Sequence, residues 1–141
     1  MDATRQAETP VVGTFTQVVR YALIAVAWLF TAGAVVQIYL AGRAAFDSPT
    51  YYADHVDFGR MIGFLAYLMP ILALVGRVGV SRIMQALVIA VLFVVQSILA
   101  NLDTGWVAAL HALNAFLLLG ASSDLGRRTL ALVRNTTPRI E

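Results

Sequence analysis

Four apolar stretches, separated by short charged intervals, account for most of the chain. Tyr21–Gly42, Met61–Gly76, Ile83–Leu102 and Thr104–Ser123 each run without a charged residue. A helix crosses the hydrocarbon of a bilayer with about 20 mainly apolar residues, in a range of about 17 to 25. Three of the stretches meet that length directly. The second has only 16 residues and contains Pro70, but "DFGRMIGFL" extends it outward by a turn, and Arg60 can then snorkel its charge into the interface. Helices of a soluble bundle keep a polar face opposite their core, whereas "ALVIAVLFVV" (86–95) is apolar all round. The pattern predicts an all-α membrane protein, an antiparallel four-helix transmembrane bundle, with spans over 20–42, 57–76, 82–102 and 104–124.

The intervals fix the order of the rods and their direction. "RVGVSR" and "NLDTG" are short enough to join only antiparallel neighbours. The longer "RAAFDSPTYYADHVDFGR" reads as a loop, with a turn at Ser48 and Pro49 and with Asp54 or Asp57 capping the second helix. Eight arginines (5, 20, 77, 82, 127, 128, 134 and 139) fall on the side of the termini, against Arg43 and Arg60 on the other. The positive-inside rule therefore predicts a multi-pass protein of the bacterial cytoplasmic membrane with both termini in the cytoplasm. Residues 1–19 and 126–141 are read as cytoplasmic tails, "RNTTPRIE" as disordered, and the polar amino-terminal segment as no secretory signal.

Composition sharpens this reading. Sixty per cent of the residues are hydrophobic and 13% charged, with a mean hydropathy of +0.78, where soluble domains carry about 25% charge. There is no cysteine, so thiolate chemistry, iron–sulfur ligation and cysteine-based zinc sites are excluded. All ten basic residues are arginine, which excludes a Schiff-base lysine. They are dispersed along the chain, so no basic block points to nucleic acid.

The polar residues inside the spans are few: Gln37, Gln85, Gln96, His111 and Asn114. At about 1.5 Å rise per residue, Gln37, Gln96, His111 and Asn114 share the outer half of the bilayer. His111 and Asn114 stack on one helix face, as do Gln85 and Gln96. Gly33, Gln37 and Ala41 form a small-residue seam that lets helices approach, and Gly59 and Gly63 repeat its spacing. Amides at such depth commonly do no more than pin neighbouring helices, whereas an ionisable histidine there is a functional candidate. The candidate cofactor-binding cluster is thus His111, Asn114, Gln96, Gln37 and Arg60, with no catalytic and no metal-ion residues. His55, among the aspartates of the outer interval, reads as a solvated loop residue.

"WLFTAGAVVQIYLAG" (28–42), "GRMIGFL" (59–65), Gln96 and "ALHALNAFLLLG" (109–120) carry a resemblance. They resemble a family of small bacterial four-span membrane proteins catalogued as a domain of unknown function, over about 20–125. The family pattern places a histidine directly before the arginine of the second span. Two such histidines facing one another across the bundle would suit a b-type haem. Here that position is Gly59, and His55, one turn earlier, substitutes for it only if the helix extends outward.

Three functions follow as expectations. The first is a non-enzymatic accessory or structural subunit of a membrane complex, partnered by lipid and by other membrane subunits or its own copies, with no cofactor. It rests on spans that hold one ionisable side chain where proton relays need coupled groups. The second is electron transfer through haem b or a quinone, using His111. The third is an oligomeric small-molecule transporter or channel, for which Pro70 is the single hint of a broken helix.

Overall fold

The computed structural model describes residues 13–136 and contains, among them, only helices and short connections. Helix α1 covers Thr14–Phe46, α2 Tyr51–Val75, α3 Val80–Leu99, α4 Gly105–Ala108 and α5 Leu110–Thr136. Because α4 and α5 lie nearly end to end, they make one rod, and the molecule is a bundle of four. Each rod is long and apolar enough to cross a membrane. Each packs on the next, and α5 closes the ring against α1. No more than 28% of the most apolar stretch of any rod is buried within the chain. The remaining apolar faces, Leu29, Phe64, Ile71, Val91 and Phe116 among them, are left for lipid.

The helices overrun the expected spans, and mostly at the ends. The first begins at Thr14 rather than 20 and continues to Phe46, so six of the 19 residues read as a tail are helical. The interval expected to be an eighteen-residue loop shrinks to Asp47–Thr50. Charged residues there are tolerated because they sit on exposed faces as i,i+3 and i,i+4 pairs, Arg43 with Asp47 and Arg60 with Asp57. Asp54 and Asp57 consequently lie inside α2 and do not cap it; the N-cap is Thr50, which makes no side-chain capping bond. At the other terminus α5 runs to Thr136, well past the boundary expected at 125, and buries Leu125, Gly126, Thr129 and Val133 against the bundle. Arg134–Thr136 are therefore helical, while 137–141 and 1–12 lie outside the described residues.

Pro70 does not break α2. Helix α2 ends instead at a Schellman closure. Arg77 takes a left-handed conformation (φ 49°), and Val78 N–H reaches the Ala73 carbonyl at 3.3 Å while Arg77 N–H reaches that of Leu74 at 3.1 Å. Arg20 completes this end from α1. Its buried guanidinium donates to the Gly76 carbonyl at 2.9 Å and to that of Arg77 at 3.3 Å, a cation placed where the helix dipole is negative. Gly79 follows with φ 92°, a conformation that side chains avoid, and starts α3.

The core is a thin seam of Leu23, Ala27, Phe30, Met69, Ile89, Leu118 and Leu125. Glycines set the helix spacing, at Gly33 within the expected seam and at Gly126 outside it. A methyl at Gly33 would lie 3.0 Å from Ile62, and one at Gly126 would lie 2.9 Å from the Trp28 indole nitrogen. Across the middle, Thr31 Oγ1 and Ser122 Oγ meet at 2.8 Å and tie α1 to α5. Towards the termini, Gln85 bonds Asp124 at 3.0 Å and accepts from Arg128 at 2.7 Å, tying α3 to α5.

A candidate ligand-binding site

At the end of the bundle away from the termini the four rods part around a cavity of about 790 Å³. That is within the range of about 300–1,000 Å³ typical of small-molecule and cofactor sites. Its floor is aromatic. Phe93 stands edge-on to both Phe30 (6.2 Å between ring centres) and Tyr67 (5.7 Å). Its upper wall is polar, with Gln37 from α1, His55 from α2, Gln96 from α3 and His111 from α5.

Gly63 makes room for this floor, because a Cβ there would run into the tip of the Phe93 ring. Phe93 cannot yield freely while Phe30 and Tyr67 flank it. Gly63→Ala is expected to cost about 1–3 kcal/mol by overpacking and to drive the ring into the cavity. Unfolding in detergent, compared between wild type and variant, would measure that cost, and an unchanged transition would contradict it.

His111 lies near the outer end of the fourth rod, which stays right-handed helical at Ala109 (φ −61°, ψ −24°) and tightens there, Ala112 N–H bonding the Ala109 carbonyl in an i→i+3 step. The ring then sits in the first turn of α5 and lines the cavity. Its Nδ1 lies 3.0 Å from the Gln96 backbone carbonyl, which can only accept, so Nδ1 carries the proton. His111 Nε2 is then the acceptor for Gln96 Nε2 at 3.1 Å. Asn114, buried one turn further on, donates to Gln96 Oε1 at 2.7 Å and to the Leu92 carbonyl at 2.9 Å. These bonds close a loop of Gln96, His111 and Asn114 that pins α3 to α5.

His55 corrects the expectation of a solvated loop residue. Since α2 begins at Tyr51, His55 lies inside the helix, half-buried, one turn before Gly59 and on its face. Its Nδ1 lies 3.2 Å from the Gln37 backbone carbonyl, and its ring centre lies 6.2 Å from that of His111. Tyr52 stacks on its other side at 6.3 Å.

The expected cluster is thus only partly one unit. Gln96, His111 and Asn114 form a single hydrogen-bonded group. Gln37 shares the cavity but not that group; its Nε2 occupies the space a side chain at Gly59 would need, and its Oε1 is buried without a partner. Arg60 stands at the rim with its guanidinium exposed and 3.3 Å from Asp57. It borders the cavity without joining the group of three, its guanidinium paired instead with the i−3 carboxylate of Asp57.

What the donor set can hold follows from its number. Among the described residues, no three histidine, cysteine or acidic side chains gather as a metal-ion site needs. Two imidazoles are too few for a bare transition ion, which takes three or four protein ligands. They suffice for haem iron, whose porphyrin supplies the other four nitrogens. The two rings lie with centres 6.2 Å apart across the cavity, near enough for His55 and His111 to hold one such group together. Both rings are also oriented by Nδ1–H bonds to backbone carbonyls, the outer-shell partner that ligating histidines usually have.

A family model described as "Family of unknown function (DUF6220)" matches residues 37–105, in line with the resemblance read from the sequence. The matched segment begins at Gln37, contains His55, Gly59, Gly63 and Gln96, and stops before His111. No curated protein and no solved structure matches the chain.

Proposed function

We propose that this multi-pass membrane protein is a small b-type haem protein of electron transfer, in which His55 and His111 would hold the haem. One observation carries the reading: two imidazoles from different helices, 6.2 Å apart, each fixed through Nδ1, line one cavity with an aromatic floor. Haem, when bound, supplies a one-electron redox centre. The chain's part would be to offer the Nε2 lone pairs of His55 and His111 and to set the apolar floor of Phe30, Tyr67 and Phe93 against the group, away from water. Arg60 at the rim is the cation nearest to hand for the carboxylates of a porphyrin. Under the positive-inside rule the site lies towards the outer face of a bacterial cytoplasmic membrane.

The test is a titration of haemin into the full-length protein in mild detergent. One haem per chain with the low-spin absorption of two nitrogen ligands is the expected result. A spectrum identical to free haemin in the same detergent would end the reading. A second reading, an accessory subunit that binds no cofactor, draws on the closed Gln96–His111–Asn114 loop, which satisfies both His111 nitrogens without any ligand. A colourless protein that co-purifies with another membrane subunit would favour it.

A further inference from the structure

The two glutamine–histidine pairs of the cavity are built alike but closed differently. In each, a glutamine carbonyl on one helix accepts from the Nδ1–H of a histidine on the helix that returns, Gln37 for His55 and Gln96 for His111. Gln96 then turns its side-chain amide onto the same ring and meets His111 Nε2 at 3.1 Å. Its Oε1 is held meanwhile by Asn114, itself anchored on the Leu92 carbonyl. Gln37 does nothing comparable for His55. Where His111 has Asn114 three residues on, His55 has Phe58, which offers no donor to hold a glutamine amide in place. Among the described residues His55 makes one side-chain hydrogen bond and its Nε2 makes none, although both rings are half-buried.

We propose that Gln96 is a positioning residue that latches His111. It covers the Nε2 lone pair until an incoming ligand displaces the amide, so that His55 is the first imidazole to engage. This rests on the haem reading above, since it concerns the order in which the same two rings are offered. With Nδ1 protonated on both, Nε2 is the ligating and nucleophilic atom of each ring. On His55 it is open, and on His111 it is occupied by an N–H. Such bonds between membrane helices are weak, so the latch can be displaced by a ligand that gains more: its loss corresponds to roughly 3-fold on average and about 20-fold at most.

The latch is tested without haem. Full-length protein in detergent is treated with diethyl pyrocarbonate, which acylates an unprotonated imidazole nitrogen, and each histidine is followed by mass spectrometry. His55 is expected to react faster than His111. Gln96→Leu keeps the backbone carbonyl but removes the amide, and should raise the His111 rate roughly 3- to 20-fold with His55 unchanged. Asn114→Leu, which frees Gln96 Oε1, should raise it by less; where Gln96→Leu fails to fold, this variant and the wild-type ratio decide. Equal rates in the wild type, no gain at His111 in a folded variant, or both histidines accelerating together would overturn the latch. Unequal reactivity in a protein that takes up no haem removes the proposed function alone; haem uptake with equal reactivity removes the latch alone.

Discussion

His55→Ala is expected to weaken haem uptake by more than about 100-fold while leaving the bundle almost as stable as before. Losing a group that merely orients a metal ligand already costs about 10- to 100-fold, and losing the ligand itself should exceed that. The stability side is small. His55 makes one hydrogen bond, at 3.2 Å, to a carbonyl already engaged in its helix, and bonds of this kind between membrane helices average about 0.6 kcal/mol. His111→Ala makes the useful contrast, since it removes both bonds to Gln96 and leaves the amide facing an empty space. That variant should lose affinity and stability together. Haemin titration paired with unfolding in sodium dodecyl sulfate separates the two outcomes. Unchanged uptake in His55→Ala would remove His55 from the ligand pair.

Arg20→Met should have the largest effect on stability of any single change at the termini end, about 3 kcal/mol. Hydrogen bonds to charged groups contribute about 1.5–3 kcal/mol each, and the guanidinium makes two, to the carbonyls of Gly76 and Arg77. A third contact, to Thr136 Oγ1, is long at 3.5 Å and adds little. Because methionine fills similar apolar space, the loss measures the polar contacts rather than packing. Arg20→Lys should recover only part of it, since an ammonium cannot reproduce the planar fork that reaches both carbonyls. A denaturation midpoint shifted by less than about 1 kcal/mol equivalent would mean that water already satisfies those carbonyls.

The rods were legible because uncharged apolar runs of membrane length exceed what the core of so small a soluble domain could bury. The glycine seams were legible because close approach needs the smallest residue. The ends were not. Helix α2 starts at Tyr51 although its first ten residues carry two aspartates, a histidine and an arginine. In a span count those charges mark a boundary. In space they lie on exposed faces, which costs a helix nothing outside the hydrocarbon. That misplacement left His55 in a loop, although its i−4 relation to Gly59 was visible and needed only the longer helix to take effect. The depth match of Gln96, His111 and Asn114 was visible, but which of them bond each other depends on rotation about the helix axis, which a lone sequence leaves open. Thr31 and Ser122 gave no signal at all, since hydroxyls in apolar helices usually bond their own backbone. Asp124 marks the close of a span in the charge pattern, yet Gln85 and Arg128 draw it into the α3–α5 contact.

The cavity takes its polar wall from all four rods, and this bears on how the protein matures. A chain emerging from the ribosome inserts α1 and α2 first, and with them Gln37 and His55. That hairpin holds one imidazole and only part of the aromatic floor. The cavity therefore comes into being only when the last rod, which carries His111, is seated against α1 and α3.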